Sequence, residues 1–327
     1  MSTLRIGTRG SQLALYQANL VASLIHERTG IDCELVIIKT SGDRLAEAAL
    51  SAIGGKRLFV KEIEDALLDG SVDLAVHSSK DMPVILPQGL SVAAVLPRED
   101  ARDAIVLPAS PNGDTPAPMD FEALVAHLGS TPRIGTSSVR RSAQLMARFP
   151  QARFLPIRGN LDTRLRKVDS GDFDAIVLAA AGLRRLGWAS RISSYVPTDV
   201  CLPAPGQGII AIETRDDDAR VRTVVAALDD PAAAAALLAE RAMVTRLGGG
   251  CQMPIGAYAT INDGTLTITG VVVSLDGEQT VQASASGTSA DAAGVGDRVA
   301  EHLLDAGAAA ILAEVTATQA PTGEQQA

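Results

Sequence analysis

The sequence predicts two similar α/β domains joined by a hinge and followed by a smaller C-terminal α+β domain. An internal repeat supports this, since Arg133-Ile134-Gly135-Thr136 matches Arg5-Ile6-Gly7-Thr8 and each string precedes an amphipathic helical pattern. Short apolar strands alternate with helical segments from Leu4 to Thr214, which is typical of α/β domains. In the last third of the chain, the turn signals Asn262-Asp263-Gly264 and Asp276-Gly277 separate apolar runs and predict hairpins.

Composition and charge exclude several classes of protein. The 327 residues carry a net charge of -9, which argues against nucleic acid as a partner because phosphate backbones require a broad basic face. Three cysteines, at positions 33, 201 and 251, form no paired or metal-ligand motif, which favours a reducing compartment. No apolar run approaches the ~20 residues of a membrane span, and the first strand starts too early for a signal peptide. We therefore expect a soluble cytoplasmic protein.

The first predicted domain begins with a strand over Leu4–Gly7 that leads through a glycine turn into a helix starting after Ser11. Backbone N–H groups at such a helix start attract anions, and Arg9 and Ser11 lie on the turn. Residues 41–57 are rich in glycine and small side chains, which predicts a mobile lid. Further strands are predicted over residues 31–40, 73–76 and 91–96, and an amphipathic helix is predicted over residues 58–70.

Polar and charged side chains follow the predicted strand over residues 73–76, which is the position where α/β proteins bind ligands. The segment reads His77-Ser78-Ser79-Lys80-Asp81-Met82-Pro83. Asp81 could be a helix cap, but Pro83 disfavours helix at Met82, so we interpret Asp81 as functional. His77 is interpreted as a hydrogen-bonded structural histidine.

The second predicted domain carries arginines at four strand exits. Because the chain as a whole is acidic, this recurrence favours a cleft that binds a polyanion over a solvated charged face. The planar guanidinium suits carboxylates, so the expected ligand carries several of them. These arginines are Arg140, Arg141, Arg158, Arg164, Arg184 and Arg185, and the sequence leaves open whether Arg184 or Arg185 faces the cleft.

The predicted boundaries make the chain cross twice between the α/β domains, as in a two-domain hinge. Residues 1–101 and 201–217 form the first domain, 102–200 the second and 218–318 the third, with a disordered tail over 319–327. Within the third domain we expect three strands and a long C-terminal helix over residues 255–261, 266–275, 280–286 and 291–316.

A glycine-rich loop with a cysteine follows the strongest helix signal of the chain. Asp230 is a predicted N-cap, Pro231 favours the first helical position, and Gly248 is predicted to end the helix. Cys251 follows three glycines and is not expected in a packed core, whereas Cys33 and Cys201 are predicted to be small buried hydrophobes. A helix C-terminus disfavours a thiolate, so Cys251 suits permanent attachment to an electrophile better than turnover as a nucleophile.

Five strings carry a family resemblance: Ile6–Leu15, Val76–Pro83, Gly135–Arg141, Arg158–Leu165 and Gly248–Pro254. Together they resemble hydroxymethylbilane synthase, also called porphobilinogen deaminase, from Arg5 to about Met253. The resemblance implies two periplasmic-binding-protein-like α/β domains and a third domain. It implies a transferase of porphyrin and haem biosynthesis that carries a dipyrromethane cofactor on Cys251 through a thioether. This primer is extended by four porphobilinogen units, and the linear tetrapyrrole is then released by hydrolysis.

The resemblance also implies roles for individual residues. The catalytic candidates are Asp81, Lys80 and Arg9. The cofactor-binding candidates are Cys251, Asp81, Lys80, Ser138, Arg140, Arg141, Arg164 and Arg185. The substrate-binding candidates are Arg9, Ser11, Arg158, Arg164 and Gln207. The lid candidates are Lys56, Phe59 and Lys61, in a segment where Ala52 and Arg57 depart from the family pattern. No metal, membrane or nucleic acid is implied; the expected partners are porphobilinogen and, for the product, the next enzyme of the pathway, and the expected state is a monomer.

Two other readings remain open from the residues. Twin α/β domains with an arginine-lined cleft would also suit a cytoplasmic binding module for a polycarboxylate, although the third domain with Cys251 counts against it. A cysteine hydrolase that pairs Cys251 with His77 lacks a local nucleophile signature.

Overall fold

The computed structural model describes residues 3–41, 60–110, 112–250 and 253–319. Within these ranges the chain forms two five-stranded mixed sheets and a three-stranded antiparallel sheet. The predicted class, two α/β domains and a smaller α+β domain, is therefore confirmed. In chain order the elements are β1 (Leu4–Thr8), α1 (Gln12–Thr29), β2 (Cys33–Ile37), α2 (Lys61–Leu68), β3 (Leu74–Ser78), β4 (Leu90–Val95), β5 (Asp103–Val106), α3 (Phe121–Leu128), β6 (Arg133–Gly135), α4 (Val139–Leu145), β7 (Arg153–Leu155), α5 (Leu161–Asp169), β8 (Ala175–Ala179), α6 (Ala180–Arg185), β9 (Ser194–Tyr195), β10 (Ile210–Arg215), α7 (Ala219–Ala226), α8 (Pro231–Arg246), β11 (Ile255–Asn262), β12 (Thr265–Val273), β13 (Thr280–Thr288), α9 (Ala292–Asp305) and α10 (Ala308–Gln319).

The two α/β sheets share one topology. The first has the order β2-β1-β3-β10-β4, and the second has the order β7-β6-β8-β5-β9. In each, the first strand of the repeat runs parallel to both of its neighbours. In each sheet, the strand beside β3 or β8 runs antiparallel to it: β10 in the first sheet and β5 in the second. Each of these two strands follows a crossing of the chain, since the chain enters the second sheet at β5 and returns to the first sheet at β10. The sequence repeat therefore corresponds to a repeated fold.

Apolar layers lie on both faces of each sheet. In the first sheet, β1 and β3 pack against α1 and α7 on one face and against α2 on the other. In the second sheet, α5 and α6 cover one face, and α3 and α4 cover the other. Because both faces are covered, the strands read as nearly continuous apolar runs, which is how the sequence predicted them.

The repeat preserves one ion pair. Arg5 at the start of β1 donates to Asp73 from its backbone N–H and from Nη2, both at 2.8 Å. Arg133 at the start of β6 makes the same two hydrogen bonds to Asp174, both at 2.7 Å. Each pair ties the first strand of its sheet to the turn that precedes the third strand.

The third unit contains the antiparallel sheet β11-β12-β13 with α8, α9 and α10 packed on it. The turn between β11 and β12 is a predicted hairpin turn, and its central residues Asp263 and Gly264 have φ of 49° and 76°. The single C-terminal helix predicted over residues 291–316 is wrong. Two helices occupy this region, and Gly307 between them has φ of 100°, a left-handed conformation that ends the first helix.

Glu240 of α8 joins the three parts of the chain. Its fully buried carboxylate accepts hydrogen bonds from Arg98 Nη1 at 2.5 Å, Gly206 N at 2.6 Å and Ala259 N at 2.8 Å. Arg98 precedes the crossing into the second sheet, Gly206 lies on the return, and Ala259 belongs to β11. One carboxylate thus satisfies buried donors from both crossings and from the third unit.

Several predictions lie outside the described residues: residues 42–57 of the predicted lid, the attachment residue Cys251 and residues 320–327 of the predicted tail. Gln319 itself ends α10, so the tail does not begin there. Within the described ranges, no helix combines the length and the apolar character needed to cross a bilayer.

Candidate active site

The segment after β3 lies at the mouth of a cavity, as its position in the sequence predicts. Residues Ser79–Asp81 form a single 3₁₀ turn, and Met82 returns to extended backbone ahead of Pro83. Asp81 is exposed, and its neighbours in the cavity come from the turn between β1 and α1, from α1, from the start of α2 and from β3. This substrate-side cavity is lined by Arg9, Ser11, Leu13, Ala14, Gln17, Val60, Ile63, Val76, His77, Ser78 and Asp81.

The start of α1 contributes the polar edge of the substrate-side cavity. Ser11 is the N-cap, and its hydroxyl accepts a hydrogen bond from Ala14 N at 3.3 Å. Arg9 is half-buried on the preceding turn. Gln17, which sequence reasoning missed, donates from Nε2 to Ser78 Oγ at 2.9 Å and holds the end of β3 against α1.

His77 is a structural histidine, as predicted. Its Nε2 lies 2.9 Å from Glu213 Oε2, and both side chains are buried. The imidazole is therefore paired with a carboxylate on the neighbouring strand β10, and this contact holds β3 and β10 together.

Arg140 and Arg141 of α4 are buried on one carboxylate. Asp103 Oδ2 accepts from Arg140 Nη2, and Asp103 Oδ1 accepts from Arg141 Nη2, both at 2.8 Å. Burial alone would raise the pKa of Asp103, but the two guanidinium groups outweigh it and hold the pKa well below its usual range. Ser138, the third candidate on this helix, is its N-cap and accepts from Arg141 N at 3.4 Å.

Gln207, predicted to bind substrate, lies instead in the hinge. Its side chain is fully buried, and Nε2 donates to Ala101 O at 2.7 Å and to Asp103 Oδ1 at 2.8 Å. Its Oε1 lies 3.4 Å from Lys80 Nζ, so it contacts one predicted catalytic residue. Burial, with Arg141 and Arg140 nearby, lowers the pKa of Lys80 to about 8 despite the opposing effect of Asp81.

The remaining arginines divide between the cleft and the hinge. Burial and the charge of Arg141 lower the pKa of Arg164 to about 10, while Asp81 opposes the shift, so charges of both domains act on this side chain. Arg158 has a buried Nη1 that has no hydrogen-bond partner. Arg184 is exposed and pairs with Glu99 at 2.8 Å, whereas the half-buried Arg185 donates to Gly208 O at 2.6 Å.

A second cavity opens where the three units meet. It has a volume of about 610 Å³, including space open to solvent, and one of its edges is formed by Gly250. This junction cavity is lined by Ser79, Lys80, Met82, Val84, Ser138, Arg140, Ala204, Pro205, Leu237, Arg241, Val244, Gly250, Met253 and Ile255.

Two residues of the junction cavity were missed from sequence. Arg241 of α8 donates from Nη2 to Val84 O at 2.6 Å and to Pro83 O at 2.9 Å, which fixes the backbone that follows Asp81. Ser79 is buried and its hydroxyl has no hydrogen-bond partner. Arg241 has no sequence signal, because its role depends on a contact between distant segments. Ser79 lies in the polar segment that the sequence marked, but its unsatisfied hydroxyl group could not be read from it.

Among the lid candidates, Lys61 is the one that the structure describes. It begins α2, is exposed and forms an ion pair with Asp65 at 2.6 Å. Lys56 and Phe59 lie outside the described residues. Cys201 is buried as predicted, and burial raises the pKa of its thiol to about 12. Cys33 is only half-buried on the edge strand β2, so the prediction that it is buried is wrong.

Two family models match this chain. The model described as "Porphobilinogen deaminase, dipyromethane cofactor binding domain" matches residues 4–223. The model for the porphobilinogen deaminase C-terminal domain matches residues 234–305. The chain belongs to the porphobilinogen deaminase family.

Curated relatives with the same family name match this chain over nearly its full length. The porphobilinogen deaminase of Syntrophobacter fumaroxidans is 48% identical over 95% of this chain and 97% of its own. That of Chromobacterium violaceum is 47% identical over 97% of this chain and 99% of its own. Among solved structures, the periplasmic VFT2 domain of Bordetella pertussis BvgS is 19% identical over 68% of this chain and 85% of its own, with a TM-score of 0.39. The methionine-binding protein MetQ is 13% identical over 69% of this chain and 89% of its own, with a TM-score of 0.41.

The residues present fit a carboxylate-bearing dipyrromethane cofactor. Within the described ranges, buried donors without a hydrogen-bond partner occur in both α/β units, namely Ser79 Oγ, Arg140 Nε and Arg158 Nη1. Unpaired buried donors are costly unless a ligand satisfies them. Cationic side chains also surround the cleft, and carboxylates are the ligands that guanidinium groups bind best. The two cavities thus supply the donors that a polycarboxylate needs.

Proposed function

We propose that this chain catalyses the hydroxymethylbilane synthase reaction. Four porphobilinogen units are joined in turn, each with loss of ammonia, and the linear tetrapyrrole is then released by hydrolysis. When bound, the dipyrromethane supplies the free pyrrole carbon to which the first unit is joined. The observation that carries the proposal is the exposed carboxylate of Asp81 between two donor-rich cavities, in a chain that matches the porphobilinogen deaminase models.

Asp81 is proposed to stabilise positive charge on the substrate. Loss of ammonia from porphobilinogen leaves a cationic methylene-pyrrole, and a fixed carboxylate beside developing positive charge lowers the barrier to that step. The same carboxylate accepts hydrogen bonds from pyrrole N–H groups. Arg241 supports its position by holding the backbone at Pro83 and Val84.

The cationic residues are proposed to bind the acetate and propionate groups of the substrate and of the growing chain. Arg9 and Ser11 serve the substrate-side cavity, and Arg158 and Arg164 serve the cleft wall of the second domain. Lys80 and Ser138 serve the cofactor at the junction cavity. Arg140, Arg141 and Arg185 are the remaining cofactor candidates, and their hydrogen bonds to Asp103 and Gly208 hold their guanidinium groups beside the hinge.

Cys251 is proposed as the covalent anchor of the dipyrromethane. Helix α8 ends at Arg246, and Gly248 with φ of 67° turns the chain out of the helix four residues after Val244, which lines the junction cavity. Gly250 also lines that cavity and immediately precedes Cys251. An anchor at this position would hold the cofactor at the junction of the three units.

The partners follow from the same reaction. Porphobilinogen is the substrate, and we propose a cytoplasmic monomer that passes its product to the next enzyme of the pathway. We also propose the domain division at residues 101/102, 200/201 and 217/218, because the two crossings between the sheets fall at the first two of these positions.

The test of catalysis is Asp81→Asn, with Asp65→Asn as a control for loss of a surface carboxylate. We expect the Asp81 variant to fold and to keep its covalent cofactor while ammonia release falls by at least about 100-fold. Ammonia release and intact mass measure the two properties separately. Near-normal turnover in Asp81→Asn would contradict the catalytic role, and a wild-type protein that binds porphobilinogen without releasing ammonia would favour a binding module.

The test of the anchor is Cys251→Ala, with Cys33→Ala as the control for another accessible thiol. We expect the mass of purified wild type and of the Cys33 variant to exceed the encoded value by one dipyrromethane, and the mass of the Cys251 variant to equal it. A Cys251→Ala protein that still carries the added mass would place the attachment elsewhere.

A further inference from the structure

Ser79 lines the junction cavity and carries a buried hydroxyl group without a hydrogen-bond partner among the described residues. Ser79 is 3% exposed, and its Oγ has no hydrogen-bond partner. Its backbone is fixed, because Ser79 N donates to Ile209 O at 3.0 Å and Met82 N donates to Ser79 O at 3.2 Å. These two hydrogen bonds hold the backbone of Ser79 in the turn that carries Asp81.

The charged side chains around Ser79 favour an acidic ligand over an apolar ligand. A Cβ placed on Gly206 would lie 2.6 Å from Ser79 Oγ, so backbone closes one side of the hydroxyl. The cavity that Ser79 lines also contains Lys80, Arg140 and Arg241. Arg140 Nε is a second buried donor without a partner. Two unsatisfied donors in a cationic cavity indicate a ligand with several acceptor oxygens.

We infer that Ser79 is a cofactor-binding residue that donates a hydrogen bond to a carboxylate of the dipyrromethane held in the junction cavity. This inference rests on the proposed function and on Cys251 as the anchor. A buried hydroxyl without a partner destabilises the protein that lacks the cofactor, and the cost disappears when the cofactor arrives. Ser79 therefore favours the loaded protein over the empty one.

This role predicts an unusual pattern of thermal stability. Apo-protein is prepared in cells that cannot make porphobilinogen and is loaded with porphobilinogen in vitro, with intact mass to verify the covalent addition. In Ser79→Ala we expect the Tm of the apo-protein to stay constant or to rise, because an unsatisfied hydroxyl is removed. The gain in Tm on loading should shrink by about 2 °C or more, since a hydrogen bond to a carboxylate is lost.

Thr214→Val is the matched control. Thr214 on β10 is also fully buried and its Oγ1 also has no hydrogen-bond partner, but it lines neither cavity. This variant should change the Tm of the apo-protein and of the loaded protein by the same amount, so that its gain on loading equals that of wild type.

The outcomes separate this inference from the proposed function. If wild type gains no mass with porphobilinogen, the proposed function fails. If wild type loads and Ser79→Ala has the same gain in Tm on loading as wild type, the inference fails and the proposed function stands. If Ser79→Ala lowers the Tm of the apo-protein, Ser79 has a structural partner and the inference is again overturned.

Discussion

At the scale of single residues, one buried carboxylate organises the charged centre of the molecule. Asp103 accepts hydrogen bonds from Arg140, Arg141 and Gln207, and Gln207 in turn lies within 3.4 Å of Lys80. Several cations that would repel one another are thereby held at the hinge. Sequence reasoning identified the cations and missed the anion, because Asp103 follows Arg102 in a stretch without any motif.

We expect Asp103→Asn to lower the free energy of unfolding by about 3–5 kcal/mol, since it leaves two buried guanidinium groups without a counter-charge. Urea unfolding of the apo-protein measures this. Asp162→Asn, which removes an exposed carboxylate paired with Arg166, should cost less than about 1 kcal/mol. Equal losses in the two variants would contradict the assigned role of Asp103.

The same carboxylate predicts a dependence of stability on acid. The pKa of Asp103 lies below its ordinary value of 3.8, so its stabilising contribution is complete above about pH 4 and is lost as pH falls through the lower folded-state value. Wild type should therefore lose stability below about pH 4 more steeply than Asp103→Asn does. If the stability of the two proteins falls equally steeply with decreasing pH, Asp103 does not contribute to the acid dependence.

Lys80 predicts a second pH dependence, in the alkaline range. Burial lowers its pKa from 10.5 to about 8, so below about pH 8 the folded protein bears the cost of a charged, partly buried amine, and this cost fades as pH rises towards 10.5. Binding of a carboxylate needs the charged form. We expect the rate of covalent loading of apo-protein to fall above about pH 8, and Lys80→Arg to lack this inflection because arginine stays charged. An unchanged inflection in Lys80→Arg would exclude Lys80 as its source.

At the scale of elements, the chain uses one βαβαβ unit twice, with the same ion pair between its first strand and the turn before its third strand. The two copies differ in burial: the Asp73 side chain is 9% exposed and that of Asp174 is 40% exposed. Hydrogen bonds from Arg5 lower the pKa of Asp73 although burial opposes this, and hydrogen bonds from Arg133 lower the pKa of Asp174.

This difference predicts unequal costs for equivalent substitutions. Asp73→Asn should cost about 2 kcal/mol or more, because Arg5 loses a desolvated partner, whereas Asp174→Asn should cost about 1 kcal/mol or less. Urea unfolding of the two variants provides the comparison, and each serves as the control for the other. A larger loss for Asp174→Asn would show that burial does not set the strength of this repeated pair.

Helix α8 is the element that connects the third unit to the proposed chemistry. Glu240 binds both crossings, Arg241 binds the backbone after Asp81, and the helix ends just before the glycine loop of Cys251. Neighbouring residues on one helix thus contact both the segment after Asp81, the proposed catalytic carboxylate, and the start of the proposed anchor loop. A rigid helix is suited to this, since sites supported by regular elements hold their geometry better than sites on loops alone.

At the scale of the whole molecule, the third unit also contacts the second through a hairpin turn. Gly277 between β12 and β13 faces α4 and the residue after it, where a Cβ would meet Ala143 O at 2.8 Å and Met146 Cβ at 2.9 Å. Gly264 in the neighbouring hairpin has the same φ of 76°, and a Cβ there would meet nothing within 4 Å.

The two glycines therefore allow a matched test of this contact. Gly264→Ala should cost about 1 kcal/mol from the left-handed backbone alone, and Gly277→Ala should cost clearly more because the added methyl group displaces α4. Urea unfolding measures the difference. We also expect slower covalent loading in Gly277→Ala only, since α4 carries Arg140 and Arg141. Equal stabilities and loading rates would show that the hairpin does not constrain α4.

The sequence by itself determined the fold class, the repeat, most strands, the position of Asp81 at a strand end and the family. Apolar periodicity and glycine turns are local properties, and the five strings are contiguous, so each can be recognised without coordinates. The break at Gly307 was missed because alanine-rich segments favour helix on both sides of it. Only the tertiary structure decided how the charged groups are paired. Asp103, Glu240, Arg241 and Ser79 have roles set by residues far away in the chain, and Gln207 and Arg140 proved to be buried at the hinge. Burial and hydrogen-bond partners are properties of the assembled chain, and no spacing in the sequence specifies them.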